Sequence, residues 1–284
     1  MKVKTQALIS RARSDLHVAL NHTLFKTDAA GIPSIADMCS KSSVEFAKGI
    51  FLRINAKAGK RVKAQTSGTE SETEIEKFLM NTFRELTSLR PGQWVIGRGN
   101  TAIENFQQFQ HLSEIRAATK ENAALAASIG QDYLIRPDIV ICRKPESDQF
   151  LNATKCIVDD SSANMTGLRE INNPHLILHA SISCKWTLRS DRAQNARSEC
   201  LNLIPNRKGK VPHIAVVTAE PLPSRIASLA LGTGDIDFVY HVALNELVDA
   251  IMATDHDDSK EMIHSMISGN RLRDISDLPL DLAI

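Results

Sequence analysis

The sequence predicts an α/β protein, a central mixed β-sheet flanked by helices. Three observations carry that reading. Short runs rich in β-branched residues, DIVICR at 138–143, LILHASISCKWTL at 176–188 and HIAVVTA at 213–219, have the length and composition of strands. Segments with helical apolar spacing lie between and around them. The 284 residues, 43% apolar and 24% charged, suffice for one large domain or two small ones.

Taken in order, residues 4–22 read as a helix and residues 42–55 (SSVEFAKGIFLRIN) as a second. A basic loop, KAGKRVKAQTSG, covers 57–68. The next helix, over 70–89, places Ile75, Leu79, Thr82 and Leu86 on one face and stops at Pro91-Gly92. GQWVIG (92–97) reads as a strand, and 101–129, rich in Ala, Gln and Glu, as two helices. Residues 144–174 are polar and irregular, an insertion or long loop. A helix over 190–204 follows the strand at 176–188; FVYHV (238–242) follows HIAVVTA as a further strand, and the tail from 243 reads as helical. No repeat or clear boundary divides the chain. The expectation is a single domain over 1–284, with a helical part over about 1–90 packed on an α/β core over about 91–284.

Charge and composition narrow the classes. The formal net charge is +1, so any binding of nucleic acid must come from local clusters rather than from overall charge. No apolar run approaches the roughly 18 residues of a membrane span. The start, MKVKTQALISRARSDL, lacks the apolar core of a signal peptide, which points to the cytoplasm and away from a membrane. The five cysteines form no CxxC pair, which indicates neither a disulfide framework nor a zinc site.

The most informative stretch is HASISCKWTLRSDRAQNARSE, 179–199. Alternate strand residues share a face. Leu178, Ala180, Ile182 and Cys184 make an apolar face; His179, Ser181, Ser183 and Lys185 make a polar one that meets either solvent or a site. Trp186 and the apolar flanks favour a central strand. The following helix starts at Ser190 or Asp191, and Asp191 with Gln194 has capping-box spacing. From 189 to 210 six basic residues (Arg189, Arg192, Arg197, Arg207, Lys208, Lys210) face two acidic ones (Asp191, Glu199). Arg can donate two hydrogen bonds to guanine and Asp can accept from cytosine, so Arg189-x-Asp191-Arg192 has the chemistry to read G·C pairs. An exposed, salt-bridged helix start is the bland alternative. Upstream, RPDIVICR puts Asp138 at the start of a strand. Asp138, Ser183-x-Lys185 and Glu199 together match a nuclease metal site, with carboxylates to hold Mg²⁺ and a cation beside the attacking water. Such triplets also occur by chance.

The run ISCKWTLRSDRAQNARSE (182–199), with NRKGK (206–210), PHIAVVTAEPLPSRI (212–226), ALGTGDID (230–237) and RLRDISDLPLDLA (271–283), closely resembles the NgoMIV-like type II restriction endonucleases, in the CCGG group of the PD-(D/E)xK nuclease superfamily. The similarity is dense from about 175 onward. It returns at QTSG (65–68), RPGQW (90–94) and PDI (137–139), and fades at the N-terminus and over 144–174. The resemblance implies a restriction-endonuclease-like core and a site-specific, Mg²⁺-dependent DNA-cleaving enzyme with two Mg²⁺ per active site. The family's metal-binding aspartate falls on Asp138. Its strand-end Ser-Cys-Lys falls on Ser183, Cys184 and Lys185, and its metal-binding glutamate on Glu199, on the helix after the strand. Another acidic residue of that site falls on Glu72. The implied catalytic set is therefore Asp138, Lys185, Glu199, Glu72 and Ser183, with Asp138, Cys184 and Glu199 toward metal. Ser183 stands where the commoner pattern has a carboxylate, and Glu199 would replace it in space. Glu72 also reads as a first-turn glutamate complementing its helix dipole.

The resemblance extends to recognition. Arg189, Asp191 and Arg192 match the readers of the inner CCGG. Asp37 in SIAD, Gln65 in QTSG and Arg225 in PSRI match residues at the outer G·C pair or the minor groove. Together they imply the site GCCGGC, cut after the first G to leave a 5′ CCGG overhang. Lys208 and Lys210 are assigned to phosphate contact. Implied partners are double-stranded DNA, a second copy in a homodimer or a homotetramer of two dimers, and a cognate DNA methyltransferase sharing the site in a bacterial cytoplasm. Two other readings stay open. One is a DNA-binding protein of the same fold without cleavage. The other is a nucleotide-dependent enzyme, supported only by LGTGD (231–235), which lacks full GxGxxG spacing. His175 and His179 could suggest a metal pair, but no third ligand is evident.

Overall fold

Apolar spacing organises the first third of the chain. The structure, a computed structural model, describes residues 6–59, 64–98, 102–129, 135–232 and 234–284, and only the backbone of residues 64, 65, 129 and 190–192. Helix α1 (Leu8–Thr23) buries Ala12, Leu16 and Leu20, one residue in four, as a single stripe. Strand β1 (Lys26–Thr27) pairs in parallel with β2 (Lys57–Ala58) across helix α2 (Lys41–Arg53). The Ser40 hydroxyl caps α2 by accepting the Ser43 backbone N–H. Helix α3 (Ala64–Thr82) then runs into a 3₁₀ turn, Phe83–Leu86. It starts earlier than 70 and stops short of 89, so QTSG lies in its first turns and not in a loop. Gly, Ser and Thr there argue locally against a helix. Burial of Ser71, Ile75, Phe78 and Leu79 between α1 and the sheet outweighs that preference.

The remainder alternates strand and helix. In order come β3 (Trp94–Arg98), two 3₁₀ turns, α4 (His111–Glu121), α5 (Ala123–Ile129), β4 (Ile139–Arg143), α6 (Asp148–Leu151), β5 (Ile177–Lys185), α7 (Ser190–Leu203), β6 (His213–Thr218), α8 (Pro223–Ala230), β7 (Phe238–His241), α9 (Leu244–Met252), α10 (Asp257–Ser268), β8 (Leu272–Asp274) and α11 (Leu278–Asp281). The α/β class with a mixed sheet holds. Among the described residues one six-stranded sheet runs β3-β4-β5-β6-β7-β8. The pairs β3–β4 and β4–β5 are antiparallel, and β5 through β8 are parallel. The edge strand β8 interrupts a tail that reads as helical; three residues with charges at two of them carry no period to detect.

Register places the chemistry. Ile139 lies opposite Ile182, so Asp138, one residue earlier, falls beside Ser183. Lys185 pairs with Thr218, so β5 and β6 end together. Strand β5 is buried on both faces, not one. Its polar face is covered because α3 and α11 pack over it: His179 contacts the Leu282 carbonyl at 2.7 Å and meets Trp94 edge-on. The stretch 144–174 has no apolar core of its own and is organised instead around Arg169. That buried guanidinium binds both carboxylate oxygens of Asp148 and the side chain of Asn164. No helix among the described residues is long and apolar enough to cross a membrane.

The N-terminal helices are fastened to the far end of the chain. Arg13 on α1 forks onto Asp274 (2.8 Å), the last residue of β8, and onto Glu246 (2.6 Å) on α9. Helix α2 lies so close to α9 that a Cβ on Gly49 would come within 2.5 Å of the Ala250 methyl. Burial pushes the Glu246 and Asp274 carboxyls up, but their hydrogen bonds to Arg13 hold both below the ordinary range. Stability from a depressed carboxyl pKa is present above the ordinary value and is lost as pH falls through the folded one. Arg13→Ala should therefore cost about 3 kcal/mol at neutral pH, leaving two acidic groups unpaired. The deficit should shrink as pH falls below about 4. Urea unfolding across pH checks this; a neutral-pH change under about 0.5 kcal/mol would show that the fork does not hold α1.

Candidate active site

The centre forms where β4 begins and β5 ends. β4 starts too late to offer a ladder carbonyl to Cys184, and the Asp138 side chain takes that place: its Oδ2 accepts the Cys184 N–H at 2.7 Å. The same oxygen lies 3.1 Å from Lys185 Nζ and 3.3 Å from Ser183 Oγ. Glu199 comes from the third turn of α7. Its Oε2 lies 3.1 Å from Ser183 Oγ and 3.3 Å from Lys185 Nζ. One hydroxyl and one ammonium thus bridge two carboxylates. Burial alone would lower the Lys185 pKa, but Asp138 and Glu199 raise it above its ordinary value, so the ammonium stays charged. Burial, then the charge of Asp138, pushes the Glu72 carboxyl up, against the pull of Lys185 and Arg98. Glu72 on α3 therefore shares the field of this centre. It is the ninth residue of its helix, so a first-turn dipole role does not apply.

Beyond Lys185 the chain turns away from the sheet. Trp186 anchors the turn: it is buried, its ring lies 5.2 Å from Phe25, and its carbonyl accepts the Ala219 N–H at 3.0 Å. Arg189 then occupies the N-cap position of α7, with no side-chain cap. Asp191 lies inside the helix, two residues past the N-cap position at which a capping box begins. A cleft of about 660 Å³ opens beside this turn, lined by Asp37, Arg189, Gln194, Arg197 and Arg225 among others. Arg225 on α8 is ion-paired with Asp37. Hydrogen bonds from Arg225 and the Cys39 N–H, with the charge of Arg189, hold the Asp37 carboxyl below its ordinary value. Arg197 donates to the Ser228 carbonyl and packs over Gly232, where a Cβ would meet its guanidinium at 2.8 Å. Thr233 in LGTGD lies outside the described residues.

Among solved structures, a chain of the restriction endonuclease PspGI–substrate DNA complex is 14% identical, covering 97% of this chain and 90% of that chain at a TM-score of 0.36. The family model described as the NgoMIV restriction enzyme matches residues 17–284. The type II restriction enzyme NgoMIV of Neisseria gonorrhoeae is 46% identical over 270 residues, 93% of this chain and 94% of that protein. The chain belongs to the NgoMIV restriction enzyme family. It is a type II restriction endonuclease, an enzyme that cuts DNA at a specific sequence.

In this NgoMIV-family chain the fold brings Asp138, Ser183, Lys185 and Glu199 together, and Asp37, Arg189 and Arg225 together a short step away. The side chains of Gln65, Asp191 and Arg192 lie outside the described residues; their backbone belongs to α3 and α7. Lys208 and Lys210 are not brought to either place. The Lys208 N–H binds the Gln108 carbonyl, and Gln108 binds Leu178 near the start of β5. The seven residues from Leu178 to Lys185 span about 23 Å of strand. Gln194 and Arg197, three residues apart on α7, also line the cleft; the eight residues from Arg189 to Arg197, about two turns, are the signal the sequence carries. His175 is exposed, while His179 is buried with Nε2 2.7 Å from the Leu282 carbonyl and Nδ1 3.3 Å from Arg90 Nη2, so both its ring nitrogens are engaged and the two histidines do not form a metal pair.

Whether the residues suit a divalent cation turns on the donor set. Asp138 Oδ2 and Glu199 Oε2 already converge on one cation, the Lys185 ammonium, and hard carboxylate oxygens are the donors Mg²⁺ takes. Among the described residues no three His, Cys, Asp or Glu side chains stand close enough to hold a metal by themselves. Cys184 alternates with Ser183 and Lys185 along β5, so its buried thiol lies on the other face and its main-chain carbonyl is the group that could contribute. Burial, then Asp138 and Glu72, raises the thiol well above its ordinary value. Cys142 and Cys200 are likewise buried and pushed up to about 12. A thiol-reactive chromogenic disulfide should therefore modify two cysteines in the folded protein, exposed Cys39 and Cys156, and all five in denaturant. Fast modification of Cys184 in the folded enzyme would contradict this packing.

Proposed function

We propose that the enzyme hydrolyses one phosphodiester per strand at the end of β5, within the palindrome GCCGGC, after its first G. The observation that carries this is the convergence of Asp138 and Glu199 on Lys185 Nζ, at 3.1 and 3.3 Å, beside an arginine-lined cleft. Asp138 and Glu199, with the Cys184 carbonyl, are the groups that would hold divalent metal, Mg²⁺ in this reading and two ions by resemblance. A bound divalent cation lowers the pKa of its water and offsets charge on the phosphoryl group. Lys185, held charged by its neighbours, is a donor and not a base. It orients the attacking water and meets negative charge as the water oxygen bonds phosphorus and the sugar oxygen leaves. Ser183 keeps the two carboxylates at a fixed spacing. Glu72, whose pKa is raised by burial and by Asp138, is the group to which this reading assigns acceptance of the water proton.

Recognition is assigned to Arg189, Asp191 and Arg192 for the inner CCGG, and to Asp37, Arg225 and Gln65 for the outer pair or the minor groove. A palindrome calls for two copies of the chain, as a dimer or a tetramer of two dimers. The chain then acts as one nuclease domain, its helical part over about 1–90 closed onto the core over about 91–284. It works in the cytoplasm, where a methyltransferase acting on the same sequence protects the host DNA.

Two outcomes test the chemistry. Asp138→Ala and Lys185→Ala should each abolish cleavage while leaving gel-shift affinity for the cleaved sequence largely intact, because neither side chain lies in the cleft. Undiminished cutting by either variant would remove it from the mechanism. Glu199→Ala should depress the single-turnover rate severely. Because Ser183 Oγ already lies 3.1 Å from Glu199 Oε2, the exchange Ser183→Glu with Glu199→Ser should restore part of it. Wild-type rates from Glu199→Ala alone would mark a solvated helix residue.

A further inference from the structure

We propose that Glu220 is a positioning residue for sequence recognition, a single buried carboxylate that holds the start of α7 and the start of α8 at a fixed separation across the cleft. The inference rests on the reading of Arg189 and Arg225 as base-contacting residues. Glu220 follows β6 and is fully buried. Its Oε2 accepts the Leu188 N–H at 2.7 Å, and Leu188 immediately precedes Arg189. Its Oε1 accepts the Leu222 N–H at 3.1 Å, and Leu222 is the N-cap residue of α8, three before Arg225. The same Oε1 lies 3.8 Å from Arg225 Nη1. The Thr218 hydroxyl accepts the Glu220 N–H at 3.1 Å, which fixes the backbone carrying the carboxylate. One side chain thus connects both arginine-bearing segments and touches one of the arginines.

A simple capping requirement does not explain a glutamate here. Helices α2 and α6 are capped by the hydroxyls of Ser40 and Ser147, at no cost in buried charge. Two N–H groups from separate segments call for two acceptor oxygens on one rigid group, which a carboxylate has and an amide does not. Burial pushes this carboxyl up to about 7, against the hydrogen bonds of Leu188 and Leu222 and the charge of Arg225. The groups facing it are Arg225 on α8, Asp37 before α2, and His241 on β7. His241 contacts the Glu220 carbonyl at 3.2 Å and is pushed by burial to about 4. His241 stays neutral where Glu220 titrates. Glu220 does not touch Asp138, Lys185 or Glu199, so its effect should fall on discrimination and not on the chemical step.

The raised pKa also separates function from stability. A carboxyl whose folded pKa is raised contributes stability below its ordinary value and loses it as pH rises through about 7. A neutral glutamine escapes that loss. The test measures cleavage of the cognate duplex and of duplexes with single base-pair changes, by wild type, Glu220→Gln, Glu220→Asp, Arg189→Ala and Arg225→Ala, with melting temperatures. Glu220→Gln should lose about tenfold in discrimination, the worth of one charge-assisted hydrogen bond, with unchanged cutting of altered sites and a melting temperature at about pH 8 that is not lowered. Wild-type discrimination should rise between about pH 6 and about pH 8, and Glu220→Gln should flatten that rise. If Glu220→Gln keeps full discrimination while Arg189→Ala and Arg225→Ala lose it, the positioning role is overturned and the base-reading assignment stands. If the arginine variants keep discrimination too, both fall. If Glu220→Gln and Glu220→Asp lose stability and cut all duplexes more slowly by one factor, Glu220 is merely structural and the proposal is wrong.

Discussion

The Lys185 ammonium between the Asp138 and Glu199 carboxylates is the constraint on which the rest of the architecture depends. It requires three chain segments to end within hydrogen-bond reach of one point. The antiparallel register of β4 on β5 delivers Asp138, and the length of β5 delivers Lys185. Helix α7 must then start within a few residues and run back along the sheet for Glu199 to return after about two turns. A one-residue slip of β4 would move Asp138 to the opposite face and dissolve the centre.

In the proposed function, chemistry and recognition share the same turn. Trp186, packed on Phe25, stops the chain immediately after Lys185 and redirects it so that Arg189 emerges at the start of α7. Phe25 in turn packs on Phe51 of α2, the helix that follows the loop bearing Asp37. The N-terminal helices therefore shape the cleft as well as cover the sheet, and the Arg13 fork closes them onto the C-terminal elements. Glu220 fits this scheme as the tie between the two helix starts that face each other across the cleft.

Much of this is legible in the sequence, for identifiable reasons. β4 and most of β6 are apolar, and β5 is apolar at alternate residues, because they lie inside the sheet, and that signal is local. Asp138 and Lys185 sit at strand ends, where a polar residue against an apolar run stands out. The convergence of Glu199 on them depends on where α7 starts, and the sequence suggests a capping box one or two residues late. The first turns of α3 resemble a loop because their stability comes from packing against α1 and the sheet, which no local window contains. Lys208 and Lys210 look like part of a basic cluster with Arg189, yet α7 carries the chain to the far end of β5 before they appear. Arg169 and Glu220 are buried groups whose partners, the Asp148 carboxylate for one and the Leu188 N–H for the other, lie more than twenty residues away, so no spacing announces them.

The proposed activity is that of a metal-dependent cleavage centre set beside an arginine-lined reading surface. Its most direct test is digestion of a plasmid of known sequence by the purified full-length protein, with Mg²⁺ and in a chelator, followed by sequencing of the ends. The account predicts cutting only with the divalent cation, at every GCCGGC, with identical ends on both strands. Cleavage in the chelator, or ends that share no palindrome containing CCGG, would contradict it.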